Sequence, residues 1–210
     1  MLGKKFIERM AHVPVDVDIA SEFRYGETVL GEGDSLMVIS QSGETADTIA
    51  AMRRARALGS RTFAVCNVVG STIAREVDKV LFTYAGPEIA VAATKSYLTQ
   101  ITVMFLTALD LAQKRGAMDA DQLQKRLAEL VQVPDKMQRI LDNRERIQYY
   151  ASRAFAVKHV FFIGRGMDYA LALEAALKLK EISYIHSEAY AAGELKHGTI
   201  ALIENGSLVV

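Results

Sequence analysis

The stretch SLMVISQSGET, residues 35–45, decides the fold class of this chain. Its first half, residues 35–39, is a short apolar run typical of a buried parallel strand. Its second half, residues 40–45, is a polar turn with one glycine, and a helix-forming stretch then continues to Leu58 and ends at Gly59. A strand that leads through a polar turn into a helix is the beginning of a βαβ unit, so the sequence predicts an α/β fold with a mostly parallel sheet.

The alternation of strands and helices continues on both sides of this stretch. Before it, residues 2–11 have the periodicity of an amphipathic helix, and residues 13–19 alternate apolar and acidic side chains as a strand with one wet face does. After it, apolar runs predict strands at residues 62–66, 79–83 and 160–163, a long buried helix at residues 89–114 and a further helix at residues 169–182.

Residues 119–150 differ from both flanks, because they are charged, helical in pattern and almost free of apolar runs. The sequence therefore predicts two doubly wound α/β units, at residues 1–114 and 151–210, joined by a helical connector at residues 115–150. Both units are expected to be incomplete. The first opens on a helix and the second stops at a predicted buried strand, residues 207–210, so we expect a fragment of a longer polypeptide.

The composition limits the kinds of partner. Half of the 210 residues are hydrophobic, and 25 Lys and Arg balance 25 Asp and Glu. No basic excess favours nucleic acid or a membrane surface, so any anionic ligand must be held by local groups. The single cysteine, Cys66, is expected to be a buried, inert thiol, and it excludes an internal disulfide. With no leader peptide and no apolar run of membrane-spanning length in view, we expect a cytoplasmic protein.

The turn SQSGET carries the first candidate site. Ser40, Ser42 and Thr45 offer hydroxyl groups, and Gln41 offers an amide. The helix that follows adds unpaired N–H groups and the positive end of its dipole, so the turn predicts a phosphate site without a lysine. The alternative is an ordinary helix start, in which the hydroxyl of Ser42 or Thr45 caps the helix.

A second candidate lies on the helix predicted at residues 169–182. Glu174, Lys178 and Glu181 are spaced four and three residues apart, so they lie near one face of a helix that is otherwise mostly apolar. A buried carboxylate beside a lysine suits a proton-transfer base. The alternative is a solvated, salt-bridged helix face.

The third candidate is His197, in the polar, glycine-flanked segment AGELKHG at residues 192–198. An imidazole in such a segment suits proton exchange near neutral pH, and the alternative is a plain surface histidine. We assign no role to His12, His159 and His186. The turn Gly164-Arg165-Gly166 lacks the full spacing of a nucleotide-binding loop and is interpreted as a tight strand-to-helix turn.

Four strings, taken together and in this order, resemble the isomerase half of the glutamine–fructose-6-phosphate aminotransferases, which is built from sugar isomerase (SIS) domains. They are ASEFRY at residues 20–25, SQSGETADT at 40–48, ATKSYLTQ at 93–100 and LKLKEISYIHSEAYAAGELKHG at 177–198. The likeness covers essentially the whole chain. SQSGET alone indicates an SIS fold, and the last string is far more specific.

The resemblance implies two doubly wound SIS domains that bind fructose 6-phosphate and form glucosamine 6-phosphate, with ammonia from glutamine. Glu181 would move the proton between C1 and C2 of the sugar, with Lys178 as its neighbour. His197 would open the sugar ring in the active site of the neighbouring subunit, which implies a homodimer. The substrate-binding residues implied are Ser40, Gln41, Ser42, Thr45 and Val91. No cofactor and no metal is implied.

The sequence also departs from this family. It contains no counterpart of the family's glutaminase domain, of the CGTS-type loop that completes the sugar site, or of the C-terminal tail whose lysine forms a Schiff base. Thr199 stands where some members have a proline. We therefore expect a segment that works with a glutaminase domain in a longer chain and that is inactive alone. The alternatives are a phosphosugar-binding regulator and another SIS-type phosphosugar isomerase or deaminase.

Overall fold

A computed structural model describes all residues, 1–210, as two small α/β units with three helices between them. The strands are β1 (Ser35–Ser40), β2 (Arg61–Cys66), β3 (Lys79–Phe82), β4 (His159–Gly164), β5 (His186–Ala191) and β6 (Leu208–Val209). The helices are α1 (Leu2–Ala11), α2 (Ala20–Tyr25), α3 (Ala46–Ala57), α4 (Thr72–Glu76), α5 (Lys95–Lys114), α6 (Ala120–Val131), α7 (Val133–Asp142), α8 (Arg144–Ala154) and α9 (Met167–Ser183), with a 3₁₀ turn at Thr199–Leu202.

The first sheet has the order β1-β2-β3, and all three strands are parallel. The register pairs Ser40 with Cys66 and Cys66 with Phe82, so the three strands end level with one another. Side chains alternate across the strands, and one face of the sheet packs on α3 and α4 through Val38, Met52, Ala64 and Ile73. The loops that leave the carboxyl ends of β1 and β2 are therefore held side by side.

The opposite face of this sheet is covered by α1 and α5, which pack against each other. Small residues recur along α5 and let the two helices come close, with Ala11 and Ala108 both fully buried. Phe6 and Phe105 meet edge to face, with 5.3 Å between ring centroids. The cluster is completed by Ile7, Val65, Met104 and Ala112.

The three connecting helices have no buried residue. α6 begins with a capping box between Asp119 and Gln122, and α7 begins with a proline in its first turn. The second sheet follows, with the parallel order β5-β4-β6. α9 packs on it, and the buried Ser187 hydroxyl donates to the Ala176 carbonyl at 2.7 Å.

The two units touch through helices. α9 packs against α1, and the negative charge of Glu174 on α9 interacts electrostatically with the phenol of Tyr97 on α5. The pKa of Tyr97 is raised, first by burial and then by that carboxylate. None of the helices is long and apolar enough to cross a lipid bilayer.

Most predicted elements are confirmed, and three expectations need correction. Residues 13–19 form no strand, because neither open edge of the first sheet pairs with them and a strand needs a hydrogen-bonded neighbour. The helix predicted from residue 89 begins at Lys95, and residues 89–94 are irregular. β5 was not predicted. The last strand is short and partly open rather than buried, with Val210 60% exposed.

Candidate functional site

The turn SQSGET lies at the carboxyl end of β1 and leads into α3. Its neighbour is the loop after β2, and the backbone N–H of Asn67 donates to the backbone carbonyl of Gln41 at 3.2 Å. The Glu44 carboxylate accepts from the Thr72 N–H at 2.7 Å at the start of α4, and this bond lowers the pKa of Glu44. The turn is therefore fixed to the adjacent loop on two sides.

Hydroxyl groups organise the inside of this turn. Ser40 is buried, and its Oγ accepts from the Gly43 N–H at 3.0 Å and lies 3.1 Å from Thr45 Oγ1. Ser42 Oγ accepts from the Glu44 N–H at 3.2 Å. These bonds hold the backbone of the turn in one conformation, while the side chains of Gln41, Ser42 and Thr45 keep contact with solvent.

Gly43 is the one position in the turn that admits no side chain. Its φ is +68°, and a Cβ there would lie 2.1 Å from Ser71 Oγ and 2.8 Å from Cys66 Sγ. The Gly43 carbonyl accepts from the Ile73 N–H at 3.1 Å. The backbone of the turn can lie this close to the next loop only because the residue is glycine. Cys66 itself is buried, as predicted.

The start of α3 is uncapped. Thr45 occupies the N-cap position, yet its side chain makes no capping bond, so the hypothesis of an ordinary capped helix start is wrong. The N–H groups of Ala46, Asp47 and Thr48 donate to no acceptor in the chain. Three parallel donors and the positive end of a 12-residue helix thus face the space beside the turn.

The loop after β3 is tied to the same end of the sheet. Asn67 Oδ1 accepts from Thr83 Oγ1 at 3.0 Å and from the Ala85 N–H at 2.8 Å, and Asn67 Nδ2 donates to the Gly86 carbonyl. Val91, predicted to line the site, lies in the irregular segment before α5 and is 95% exposed. Its side chain is therefore almost fully open to solvent.

The second candidate forms a compact ionic group on α9. Lys178 Nζ lies 2.5 Å from Glu181 Oε2 and 3.5 Å from Glu174 Oε1, and the three side chains are only 22–30% exposed. Burial by itself would lower the pKa of Lys178, but the bond to Glu181 and the charges of both glutamates outweigh it and raise that pKa. Lys178 is therefore a fixed cation between two carboxylates. The alternative to a catalytic role was a solvated, salt-bridged helix face. The ion pairs of that alternative are formed, but the side chains are half-buried.

His197 lies on an exposed turn between β5 and the 3₁₀ turn. Its backbone N–H donates to the Glu194 carbonyl at 2.9 Å, and its imidazole has no partner in the chain. No hydrogen bond or ion pair joins the turn SQSGET to Lys178, Glu181 or His197. The chain thus presents the predicted residues as a turn beside an uncapped helix start, an ionic group and an isolated imidazole rather than as one assembled site.

Four supporting residues were missed from the sequence. Gly43 and Asn67 fix the turn and its neighbouring loop, Glu88 accepts from the N–H groups of Thr94 and Ser96 at the start of α5, and Tyr97 faces Glu174. A polar residue directly after an apolar run was a usable signal for Asn67. Gly43 and Tyr97 contact residues far away in the chain. Glu88 lies six and eight residues before the N–H groups it binds, which is outside the usual capping spacing.

Comparison with known proteins places this geometry in a family. The SIS domain model matches residues 2–109 and 155–210, which is most of the chain. The chain belongs to the SIS domain family. The stretch without a match contains the connecting helices α6, α7 and α8.

Among SIS proteins, this chain is 58% identical over all its 210 residues to a glutamine–fructose-6-phosphate aminotransferase (isomerizing) of Caldanaerobacter subterraneus, and it spans 34% of that relative. The solved C-terminal domain of glucosamine-fructose-6-phosphate aminotransferase from Francisella tularensis superposes with a TM-score of 0.96 at 40% identity, covering 100% of this chain and 59% of that one. The predicted resemblance is thereby confirmed.

A solved glucosamine-6-phosphate deaminase from Thermotoga maritima shares the fold alone. Its TM-score is 0.81 at 23% identity, with 99% of this chain and 61% of the deaminase covered. The SIS chain described here spans about a third of the length of the curated relatives it matches.

Proposed function

We propose that this chain is the sugar-phosphate-binding and isomerising part of a glutamine–fructose-6-phosphate aminotransferase. The substrate would be fructose 6-phosphate, the nitrogen would come from glutamine through a glutaminase domain in the same polypeptide, and the product would be glucosamine 6-phosphate. Alignment of all 210 residues at 58% identity with a third of a relative of that name supports this proposal.

The observation that carries the proposal is the uncapped start of α3 beside the hydroxyls of Ser42 and Thr45. A phosphate group there would accept from the free N–H groups of Ala46, Asp47 and Thr48 and from both hydroxyls. It would also gain from the positive end of the helix dipole. In this proposal Gln41 and Ser40 hold the sugar hydroxyls, and Val91 lines the site.

Glu181 is the proposed proton-transfer base. Isomerisation removes a proton from one of the neighbouring carbons C1 and C2 and returns it to the other, so a single carboxylate can do both steps. Lys178 Nζ, 2.5 Å away, holds this carboxylate in place. His197 would exchange the protons of ring opening, and because its imidazole is exposed and unpaired in this chain, it is free to enter a neighbouring subunit of a homodimer.

Phosphate binding is tested on the chain itself by calorimetric titration with fructose 6-phosphate and glucosamine 6-phosphate. Each charge-assisted hydrogen bond contributes about 1.5–3 kcal/mol, so Ser42→Ala with Thr45→Ala should weaken binding by at least about tenfold. The control is Thr102→Ala with Ser152→Ala, which removes two hydroxyls that only bond within their own helices. Equal affinity in the double variant and the wild type would refute the phosphate site.

Chemistry is tested in a full-length aminotransferase that contains this segment. Mass-spectrometric product analysis with fructose 6-phosphate, with and without glutamine, distinguishes the aminotransferase from a deaminase, another isomerase or a ligand-binding regulator. Glu181→Gln should abolish exchange of solvent deuterium into the sugar while substrate still binds. Glu145→Gln, on the exposed helix α8, is the matched control. Normal exchange in Glu181→Gln would mean that the ion pair with Lys178 is structural.

A further inference from the structure

Two histidines meet at the amino ends of β4 and β5. His159 and His186 are the first residues of these parallel strands and are paired directly in the register. Their Nδ1 atoms are 3.2 Å apart, and the rings are nearly perpendicular, with 5.2 Å between centroids. Both side chains are open to solvent. The backbone ladder between the strands therefore holds two imidazole nitrogens at a fixed, accessible distance.

That distance suits a metal ion. Zinc binds imidazole nitrogen at about 2.0–2.1 Å, so two nitrogens on a tetrahedral ion lie roughly 3.3 Å apart. The observed 3.2 Å between Nδ1 atoms matches this separation. Without a metal, one proton spans the gap, since one imidazole must donate and the other accept. A tetrahedral ion about 2.0–2.1 Å from each nitrogen would lie to one side of the line between them, and it would replace that proton and engage both lone pairs.

A carboxylate already lies behind one of the two rings. Glu188 Oε1 is 3.5 Å from His186 Nε2, the nitrogen that points away from His159. The other oxygen of Glu188 accepts from the Tyr190 hydroxyl, and this bond raises the pKa of Tyr190 and keeps the phenol protonated. Metal-binding histidines commonly donate their second N–H to a carboxylate, which fixes the tautomer. Glu188 thus favours the proton on Nε2 of His186. The Nδ1 atom of His186 then carries no proton, and its lone pair accepts from His159.

We propose that His159 and His186 form a two-imidazole site for a divalent transition-metal ion of the Zn²⁺, Ni²⁺ and Cu²⁺ class. Glu188 acts as a positioning residue for His186, and water completes the coordination. On binding, His159 moves its ring proton from Nδ1 to Nε2, so both Nδ1 atoms coordinate. Imidazole ligands select these ions over Mg²⁺ and Ca²⁺, and the general order of affinity puts Cu²⁺ first.

The position of the site separates it from the turn SQSGET and from His197. It lies at the amino ends of β4 and β5, whereas the turn SQSGET follows β1 in the first sheet and the His197 loop leaves the carboxyl end of β5. A six-residue strand spans about 17 Å between its ends. Glu181 lies near the carboxyl end of α9, five residues before His186. The test measures metal affinity and not sugar chemistry, so it does not depend on the proposed function.

The test is calorimetric titration of the chelator-treated chain with CuCl₂, NiCl₂, ZnCl₂ and MgCl₂. We expect one site with Cu²⁺ tightest and no Mg²⁺ binding. His159→Asn and His186→Asn should each weaken Cu²⁺ binding by more than tenfold. Glu188→Ala should weaken it by about 10- to 100-fold without changing the stoichiometry. His12→Asn, another exposed histidine, should bind Cu²⁺ as the wild type does.

Two further measurements keep the result interpretable. Far-ultraviolet circular dichroism checks that each variant is folded. On the wild type, nitrogen NMR of the imidazoles should show Zn²⁺ shifting Nδ1 of both His159 and His186, which needs no variant. Unchanged Cu²⁺ affinity in the double variant His159→Asn/His186→Asn, or Zn²⁺ shifts confined to His12 or His197, would overturn the proposal.

Discussion

Gly43 shows at the scale of one residue how the turn SQSGET is made. Its positive φ and its close approach to Ser71 and Cys66 let the turn pack on the loop after β2. Any side chain would have to displace a buried neighbour and occupy a backbone conformation that costs L-residues roughly 1–2 kcal/mol. The choice of glycine at this position is therefore determined by backbone geometry and close packing.

Replacing this glycine should destabilise the chain and open the turn. We expect Gly43→Ala to lower the free energy of unfolding by about 2–4 kcal/mol, from backbone strain together with overpacking. Urea denaturation measures it. The matched control is Gly70→Ala, where φ is +78° but no atom lies within 4 Å, so only the strain term remains. Equal losses in both variants would show that the contact with Ser71 and Cys66 has no energetic effect.

At the scale of the element, α5 owes its start to a carboxylate that lies outside the helix. Glu88 Oε2 accepts from Ser96 Oγ at 2.8 Å, from the Ser96 N–H at 3.1 Å and from the Thr94 N–H at 3.2 Å. These bonds lower the pKa of Glu88 below its ordinary value of 4.5, and the bond from the Ser96 hydroxyl has the largest effect. The same bonds close residues 89–94 into a loop between Glu88 and the start of α5.

Glu88→Ala should therefore destabilise the chain in a pH-dependent way. A lowered pKa means that the folded state favours the ionised carboxylate, so its contribution is complete above about pH 4.5 and is lost as the pH falls through the folded-state pKa. Urea midpoints of wild type and variant should differ at pH 7 and converge toward pH 3. Glu27→Ala, which removes an exposed carboxylate without a hydrogen bond, should show no such convergence. A constant difference between pH 7 and pH 3 would contradict the role of Glu88.

At the scale of the whole molecule, the predicted residues belong to two units that meet at α1, α5 and α9. Tyr97 and Glu174 face each other across this junction, and the ionic group on α9 continues from Glu174 to Glu181. His197 stays outside, exposed and unpaired. This separation is consistent with the proposal that His197 completes the site of another subunit.

Mixed dimers of a full-length aminotransferase containing this segment test that proposal. Glu181→Gln and His197→Ala subunits are each expected to be inactive. If the site is shared, a mixed dimer has one site with both defects and one with neither, so about half of the activity per mixed dimer should return. The control pair Glu181→Gln and Lys178→Ala, both defects of one subunit's own site, should recover nothing. Subunit exchange without recovery in the first pair would place His197 in its own subunit.

The sequence by itself determined the features that depend on neighbours in the chain. Hydrophobic periodicity located α1, β1, β2, β3 and β4, because burial of one face is what forms such elements. The strings around residues 40–48 and 177–198 established the family, and the spacing of Glu174, Lys178 and Glu181 predicted their ionic contacts.

Only the tertiary structure decided what depends on distant partners. Residues 13–19 have the alternation of a strand and form none, since a strand exists only through bonds to a neighbour that the pattern does not specify. Whether the hydroxyls of the turn cap α3 or leave its N–H groups free was equally open in the sequence. The capping of α5 by Glu88 and the pairing of His159 with His186 across 27 residues arise from backbone positions set by the whole fold, and no local spacing encodes them.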